Sequence, residues 1–383
     1  MSEIVLPLPA RPGNPRNSEG AFVPLRDGRL LFAWSCYRGE SWQDHAQADI
    51  AGCESRDEGR TWGPPRVLVP NEGRCNVMSA SLLRLADGRI ALFYAQKNSA
   101  LDCRLRLRTS ADEGATWSEP VLCNPAPGYF VTNNDRIIQL RSGRLVAPAA
   151  YHRPKSPDGA IEAGIDSHGE VTVFLSEDAG ATWREARQRV GVSEKIDSGL
   201  QEPGVIERSD GSLYGWARTT DGWQWEFTST DGGETWSEPQ RSRFAAPCSP
   251  LSIKCIDAAG RWLAVWNDPK APVTAETAWG TNSSWGRTPL ALATSADEGA
   301  TWSAPRLIED DPERGFCYTA IQPVADAVLL AYCCGGRGTA VLQDSCVRRV
   351  PFAELPQQTA EPAGCPRHEI RRHGRGHGLT KAN

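Results

Sequence analysis

The sequence predicts an all-β protein, a six-bladed β-propeller made of four-stranded antiparallel blades. Three observations favour this fold. The eight-residue pattern Ser-x-Asp-x-Gly-x-Thr-Trp occurs five times, at intervals of 53 to 66 residues. A short Asp-Gly turn between alternating apolar runs occurs six times, counting one degenerate copy, and the two patterns alternate along the chain. A repeat of this length suits one small antiparallel sheet per unit.

The eight-residue pattern has the composition of a hairpin turn. Its Asp accepts hydrogen bonds from backbone amides of its own loop, and its Gly supplies a positive φ. Its Trp is a large apolar anchor that packs between neighbouring sheets. We therefore interpret these Asp residues as turn residues that take no part in chemistry. The five copies begin at Ser55, Ser110, Ser176, Ser229 and Ser295.

The Asp-Gly turns divide the chain into six units, because Asp-Gly between alternating strands is the strongest short hairpin signal. Each unit then has two strands joined by this turn, a longer loop, and two more strands joined by the Ser-x-Asp turn. The six turns are centred on Asp27-Gly28, Asp87-Gly88, Ser142-Gly143, Asp210-Gly211, Ala259-Gly260 and, in degenerate form, Asp326-Ala327.

The last unit lacks a Ser-x-Asp turn. Its sheet is predicted to end within residues 340–350 and to be completed by the N-terminal strand, Glu3 to Leu8, which would close the ring. The prediction is thus one domain over residues 1–355. A C-terminal extension over residues 356–383 is rich in Gly, Arg and His, and we expect it to be disordered.

Composition limits the kinds of binding partner and the cellular compartment that we expect. A net charge of −5 and a pI near 5.8 argue against a general nucleic-acid or anionic-membrane partner. No stretch approaches the 18 or so apolar residues of a membrane span, and no basic segment followed by an apolar run opens the chain, so we expect a cytoplasmic protein. The twelve Cys contain no Cys-x-x-Cys spacing, which predicts buried reduced thiols and no zinc site.

Strand direction predicts which face carries function. If both kinds of turn lie at one end of each blade, the opposite face collects the start of strand one, the end of strand two and the loop that follows. Loops on a rigid scaffold commonly carry binding and catalytic residues. The polar residues at these places are Arg16, Asp44, Asn76, Lys97, Asn134, Asp135, Arg136, His152, Glu202, Arg218, Arg287 and Tyr318.

Together these patterns resemble the sialidase (neuraminidase) superfamily over about residues 14–350. The Ser-x-Asp turns match its Asp boxes, which alone are only moderately specific. The spacing of the polar residues is more telling: Glu202 lies at the start of a strand in QEPGVIERSDGSLYGWAR, and Arg218 follows sixteen residues later. Tyr318, in GFCYTAI, resembles the segment that carries the nucleophilic tyrosine of the family. Arg287 lies one strand before an Asp box, and Asp44 lies eleven residues before Ser55.

One motif departs from the family pattern. Sialidases usually begin their first blade with Phe/Tyr-Arg-Ile-Pro, whereas this chain has Asn14-Pro-Arg16-Asn-Ser-Glu19-Gly. Arg16 is the natural counterpart of the first arginine, but it lies about two residues further from the Asp-Gly turn than the family pattern has it. The identity of the anion that Arg16 would bind is therefore left open.

The resemblance implies a retaining exo-glycosidase that removes a terminal sialic acid or a related acidic sugar. Arg16, Arg218 and Arg287 would grip the carboxylate of the sugar. Tyr318 would attack while Glu202 takes its proton, as in glycosidases with a tyrosine nucleophile. Asp44, or alternatively Asp49, would protonate the leaving oxygen and then activate water. The resemblance implies no metal or cofactor.

The same resemblance implies that a second group of residues, the specificity sector, contacts substituents of the sugar away from its carboxylate. Two alternatives to a sialidase stay open. One is a hydrolase or lyase that acts on another anionic glycan of the uronic-acid type. The other is a non-catalytic carbohydrate-binding propeller, although a binder has no need of a Tyr-Glu pair. The residues assigned to the specificity sector are Asn76, Lys97, Asn134, Asp135, Arg136 and His152.

Overall fold

The computed structural model describes residues 1–269, 272–274, 277–280 and 283–357. Within these ranges the strands form five hydrogen-bonded sheets, and every strand pairing except one is antiparallel. Two short 3₁₀ helices, Ile161–Ala163 and Phe352–Glu354, complete the regular structure. The predicted all-β class and the four-stranded antiparallel sheets are thereby confirmed. No helix in the described ranges has the length and hydropathy needed to cross a membrane.

The N-terminal strand β1 (Glu3–Leu8) belongs to the last unit and is described with it. The first unit is one four-stranded sheet in sequence order. Its strands are β2 (Asn17–Pro24), β3 (Leu30–Tyr37), β4 (Ala48–Ser55) and β5 (Arg66–Val69).

Units two and three share one nine-stranded sheet, which the repeats do not predict. The two units merge because β10 pairs with β8 in parallel, with Gly128 opposite Asp102. The inner strand of unit three is also broken: β10 and β11 both pair with β12, and residues 132–137 lie between them. The strands are β6 (Asn76–Arg84), β7 (Ile90–Ser99), β8 (Asp102–Ser110), β9 (Val121–Leu122), β10 (Gly128–Val131), β11 (Ile138–Gln139), β12 (Leu145–Pro154), β13 (Ile165–Ser176) and β14 (Arg184–Glu185).

Units four and five are separate four-stranded sheets, each in sequence order. Unit four contains β15 (Gln201–Glu207), β16 (Leu213–Arg218), β17 (Trp223–Ser229) and β18 (Gln240–Ala245). Unit five contains β19 (Ser252–Cys255), β20 (Trp262–Asn267), β21 (Leu290–Ser295) and β22 (Arg306–Glu309).

The sheet of the sixth unit joins the two ends of the repeat region. It contains β23 (Cys317–Pro323), β24 (Ala327–Cys333) and β25 (Ser345–Pro351), and β1 pairs antiparallel with β25. The N-terminal strand thus completes the last sheet, at the residues that the sequence predicted. Of the predicted C-terminal extension, residues 358–383 lie outside the described residues.

The Ser-x-Asp turns are held by their own side chains. In the first turn, the Gly59 amide donates to Ser55 Oγ at 2.8 Å, and Asp57 accepts from the Thr61 amide and hydroxyl at 2.8 and 2.6 Å. The same contacts recur in the other four copies. These bonds use both carboxylate oxygens of each Asp within the turn, in agreement with a structural role.

The Trp of each Ser-x-Asp turn packs into a core shared with the preceding unit. Trp117 of unit two, for example, packs against a core that includes Leu31 of unit one and Leu82 of unit two. Gly59 adopts a φ of +80°, and a Cβ added there would lie 2.4 Å from Leu329 of unit six. In the last unit, which lacks the turn, Phe352 of the short helix packs against the core between units five and six.

Five inner-strand residues adopt the left-handed backbone conformation, with φ between +48° and +60°. Strand pairing shifts register at this place in units one, two, four and six. We call these positions the inner-strand bulges. Such a conformation costs about 1–3 kcal/mol for a residue other than Gly, so surrounding contacts must hold it. The bulge residues are Glu19, Ser79, Asp135, Glu202 and Tyr318.

Candidate functional site

One cavity of about 250 Å³ collects most of the predicted site residues. Residues from units one, two, three, four and six line it, together with Trp279 from the loop of unit five. Seven of the predicted residues are among them, namely Arg16, Asp44, Lys97, His152, Glu202, Arg218 and Tyr318.

Tyr318 and Glu202 form a buried pair in this cavity. The phenol oxygen of Tyr318 donates to Glu202 Oε1 at 3.0 Å, and each residue is 7% exposed. Both lie at inner-strand bulges, on strands β23 and β15. Burial, and then the negative charge of Glu202, raises the pKa of Tyr318 well above its ordinary value. The phenol is therefore protonated in the free site and already bonded to a carboxylate that could accept its proton.

Arg218 lies beside this pair because β15 and β16 place it opposite Gln201. Its Nη2 donates to Gln201 Oε1 at 2.8 Å, and its Nη1 donates to the Cys248 carbonyl at 3.3 Å. Its Nε lies 3.2 Å from Glu202 Oε2. The two groups form an ion pair, but their geometry does not make a hydrogen bond. A buried cation is thus fixed next to the Tyr318 and Glu202 pair.

Arg16 is the second buried cation of the cavity, at 1% exposure, and it holds two carboxylates. Its Nη1 lies 2.5 Å from Asp44 Oδ1, and its Nη2 lies 3.4 Å from Glu19 Oε2. The two partners differ in access to solvent: the Asp44 side chain is 58% exposed, and the Glu19 side chain is 6% exposed. Burial raises the pKa of Glu19 against the opposing charge of Arg16.

The loop that carries Asp44 is tied to unit two. Lys97 Nζ and Asn76 Nδ2 both donate to the Asp44 carbonyl at 2.8 Å. Partial desolvation of its carboxylate works to raise the pKa of Asp44, but the charges of Arg16 and Lys97 outweigh it and hold that pKa well below its usual range. Asn76 supports this loop and is not among the residues that line the cavity.

Asp49, the alternative to Asp44, is engaged elsewhere. Its carboxylate pairs with Arg38 Nε at 2.8 Å and accepts from the Asn71 amide at 2.7 Å. It is also absent from the cavity lining. The geometry therefore favours Asp44 as the carboxylate that a ligand would meet.

His152 lines the cavity as a neutral imidazole. Its Nδ1 lies 2.8 Å from the Asp166 carbonyl, which can only accept, so Nδ1 carries the proton. Burial lowers the pKa of His152, which leaves Nε2 unprotonated at neutral pH. Among the described residues, no group of three or more His, Cys, Asp or Glu is arranged to hold a metal ion.

Arg287 departs from the predicted arrangement of three arginines in one pocket. Its Nη1 donates to Cys317 Sγ at 3.1 Å, and its guanidinium lies 5.4 Å from the centre of the Tyr318 ring. It does not line the cavity. Arg287 packs against the tyrosine, so only Arg16 and Arg218 face the cavity itself.

Asn134, Asp135 and Arg136 also differ from their predicted place. Thr132 and Asn133 of the same loop line the cavity, but these three residues do not. Asn134 Nδ2 donates to the carbonyls of Gly20 and Tyr318, and Arg136 Nη2 donates to the Leu251 carbonyl. Contacts with other units thus occupy the donors that the sequence assigned to sugar substituents.

Several cavity residues are missing from the predicted site, among them Glu19, Tyr129, Asp166 and Trp279. For Glu19 a signal was available. It lies eight residues before the Asp of its Asp-Gly turn, as Glu202 and Tyr318 lie before theirs. This shared spacing marks the inner-strand bulge. The other three lie in or next to loops that have no counterpart in the repeat, so the spacing gives no such signal for them.

Comparison with known proteins agrees with this geometry. The BNR repeat-like domain family matches residues 28–330. A sialidase of Bacteroides fragilis (strain YCH46) is 24% identical over 339 residues, covering 79% of this chain and 57% of the relative. A sialidase of Paraclostridium sordellii is 24% identical over 285 residues, covering 64% and 65%. The chain thus spans less than two thirds of the length of either relative.

Solved structures extend the comparison to the fold. The intramolecular trans-sialidase of a leech superposes with a TM-score of 0.69 at 16% identity, covering 93% of this chain and 71% of that one. At this identity the similarity concerns the fold alone. Since the family match covers most of the chain, the protein belongs to the BNR repeat-like domain family, within the sialidase superfamily.

Proposed function

We propose that this protein is a retaining exo-glycosidase of the sialidase type, which hydrolyses a terminal sialic acid or a related acidic sugar. The observation that carries the proposal is the hydrogen bond from Tyr318 to Glu202, next to Arg218 and in the cavity that also contains Arg16 and Asp44. The relatives named as sialidases support the same substrate class.

The residue types suit a sugar with a carboxylate on its anomeric carbon. Guanidinium groups bind carboxylates with two parallel hydrogen bonds, and Arg16 and Arg218 supply two such groups. The negative charge of the substrate would repel a carboxylate nucleophile. A neutral phenol avoids this repulsion, and its high pKa requires a base beside it. Glu202 is that base.

In the proposed first step, Tyr318 Oη bonds to the anomeric carbon while the bond to the leaving oxygen breaks. The phenol proton passes to Glu202, and Asp44 gives a proton to the leaving oxygen. In the second step Asp44 takes a proton from water, whose oxygen attacks the anomeric carbon as the bond to Tyr318 breaks, and Glu202 returns its proton to the departing Tyr318 oxygen. Two displacements at one carbon retain its configuration.

Asp44 must gain a proton to act as the acid, although Arg16 and Lys97 hold it ionised in the free protein. A substrate carboxylate that binds Arg16 removes this obstacle. It would displace Asp44, which is exposed, more readily than Glu19, which is buried. Asp44 would then lose one of the two charges that lower its pKa and gain a nearby anion that raises it.

We further propose that the six units form a closed six-bladed ring and that residues 1–355 are one catalytic domain, with residues 356–383 as an extension. Contacts between inner strands support this. Strand β2 contacts both β6 and β23, and β15 and β23 each contact β19. The proposed partner is a sialoglycan or another acidic sugar.

The test is release of a fluorophore from an α-sialoside by the wild type and by Tyr318→Phe. We expect release by the wild type and release near background by the variant, because the variant lacks the attacking oxygen. Tyr332→Phe is the matched control. This buried tyrosine lies in the same sheet as Tyr318 but outside the cavity, and it donates to Glu309 of unit five at 2.6 Å, so the loss of its hydroxyl should leave kcat unchanged.

Each result bears on one part of the proposal. Absence of release by the folded wild type at any concentration contradicts the sialidase activity. Equal release by Tyr318→Phe contradicts the tyrosine mechanism and leaves the substrate class standing.

A second candidate is a glycosidase or lyase for another anionic sugar, such as a uronic acid. It is favoured by the position of Arg287 outside the cavity and by the two carboxylates already on Arg16. The same assay with a fluorogenic β-glucuronide separates the two. Release from the glucuronide alone would favour the second candidate.

A further inference from the structure

The bulge that carries Tyr318 lacks the usual support of a strand. Cys317 lies opposite Cys333, and the next paired position is Ala320 opposite Ala331, so Tyr318 and Thr319 fall within the register shift. Tyr318 also has a φ of +60°. Because this conformation costs about 1–3 kcal/mol, contacts from outside strand β24 must stabilise it.

Side chains of two other units supply these contacts. The Tyr318 carbonyl accepts from Asn134 Nδ2 at 3.1 Å, and the Ile321 amide donates to Asp135 Oδ2 at 3.0 Å. Between them, the Thr319 carbonyl accepts from Ser252 Oγ at 2.6 Å. Three backbone groups of the bulge segment are thus bound by side chains from units three and five.

The supporting side chains are themselves fixed. Asn134 is 1% exposed, and its Nδ2 also donates to the Gly20 carbonyl at 2.7 Å. Both oxygens of Asp135 accept from Lys254 Nζ, at 2.7 and 2.9 Å. Asn134 and Asp135 lie in the break between β10 and β11, where they are free of sheet pairing and can reach unit six.

We propose that Asn134 and Asp135 are positioning residues for Tyr318, which act by holding its backbone in the bulge so that the phenol oxygen meets Glu202. We call the two residues the bulge clamp. They do not line the cavity, so they have no direct contact with the substrate. This inference rests on the proposed role of Tyr318 as the nucleophile.

A positioning role predicts a loss in kcat that a merely structural role does not. Displacement of a reacting group by about 1 Å through a remote substitution can cost about 10²-fold in rate. If the clamp only stabilised the fold, its variants would unfold more easily, but the folded fraction would keep the kcat and KM of the wild type.

The experiment compares three substitutions by kcat, KM and crystal structure. Asp135→Ala removes the acceptor for the Ile321 amide and should lower kcat at least tenfold, up to about 10²-fold, with KM changed little. Asp135→Asn keeps an acceptor oxygen and should restore kcat to within about threefold of the wild type. Glu234→Ala is the matched control, because it removes a buried carboxylate that accepts from Arg184 outside the cavity, and it should keep the kcat of the wild type.

The crystal structures give a readout that does not depend on activity. In Asp135→Ala we expect Tyr318 to leave its left-handed conformation and the contact from its phenol oxygen to Glu202 to lengthen. If Asp135→Ala does not fold, Asn134→Ala takes its place, since it removes the donor to the Tyr318 carbonyl. The same structural change is expected.

The outcomes separate the clamp from the proposed function. An unchanged bulge and unchanged kcat in the folded variants would overturn the clamp, while hydrolysis by the wild type would uphold the function. A bulge that relaxes in a protein with no activity on sialosides would uphold the clamp and refute the function.

Discussion

Glu202 contacts both the phenol of Tyr318 and the guanidinium of Arg218, so one buried carboxylate connects the proposed nucleophile to a proposed substrate-binding cation. Its charge serves two purposes in this arrangement. It receives the phenol proton during attack, and it balances Arg218 while the cavity is empty. A substitution that removes the charge of Glu202 but keeps its shape separates these two electrostatic roles from its role in packing.

Glu202→Gln should therefore lower kcat by about 10²–10⁴-fold, the range typical of a lost general base. KM should stay equal or fall, because Arg218 loses its internal counter-charge and is free for the substrate carboxylate. Steady-state kinetics on the α-sialoside measure both. Glu309→Gln is the control, since Glu309 binds Tyr332 and Arg348 in the same way outside the cavity. A kcat within threefold of the wild type would rule out Glu202 as the base.

Lys97→Met should move the alkaline limb of the kcat–pH profile to higher pH. The positive charge of Lys97 lowers the pKa of Asp44, so its removal raises that pKa. Because the proposed acid must be protonated in the complex, a higher pKa extends activity toward higher pH. The measurement is kcat against pH for both proteins. A limb that stays in place or moves to lower pH would argue against Asp44 as the acid.

At the residue scale, sequence reasoning succeeds where the repeat fixes a position. Glu202 and Tyr318 each lie eight residues before the Asp of their turn, and both reach the cavity. It does not extend to Asn134 and Arg287, which do not line the cavity. Asn134 has the same spacing from Ser142 but lies in the break between β10 and β11, and Arg287 lies in the loop before β21. The direction of such a segment depends on packing between units, which spacing does not encode.

At the scale of single elements, the two kinds of turn differ in what surrounds their glycines. Gly59 of a Ser-x-Asp turn and Gly28 of an Asp-Gly turn have similar positive φ values, +80° and +86°. A Cβ at Gly59 would collide with Leu329, whereas a Cβ at Gly28 would meet nothing within 4 Å. Ala substitutions at Gly28 and Gly59 therefore separate the cost of backbone strain from the cost of overpacking.

Both Gly28→Ala and Gly59→Ala should lower the free energy of unfolding by about 1–2 kcal/mol, the cost of a left-handed residue other than Gly. Gly59→Ala should lose about 1–3 kcal/mol more, because the neighbouring sheet must move. Denaturant unfolding monitored by Trp fluorescence measures the difference. Equal losses in the two variants would mean that the Ser-x-Asp turn is not packed tightly against the preceding sheet.

The elements themselves follow largely from the sequence, because alternating apolar residues and Asp-Gly turns act locally. All six predicted hairpins form, and β1 begins and ends where predicted. The parallel pairing of β10 with β8 does not follow, since it joins Gly128 to Asp102 across two units through a contact of only two residue pairs. Such a contact depends on how neighbouring sheets are placed.

At the scale of the whole molecule, charge is distributed unevenly. The chain carries a formal charge of −5, and the cavity of the proposed site contains the buried cations Arg16, Lys97 and Arg218. Four carboxylates line the same cavity, those of Glu19, Asp44, Asp166 and Glu202. The cations thus already have partners inside the site, and under the proposed function an acidic sugar would bind by replacing an internal partner such as Asp44.

The inner-strand bulges also have a consequence for engineering. The backbone offers the same conformation at several units, and three of these positions carry Glu19, Glu202 and Tyr318 at the cavity. Ser79 has this conformation too, with a φ of +59°, and it lines the same cavity with a short hydroxyl side chain. A longer acid, amide or base introduced at Ser79 would enter the cavity from a backbone already shaped to present it. The repeat thus provides an attachment point for new chemistry that leaves the existing groups in place.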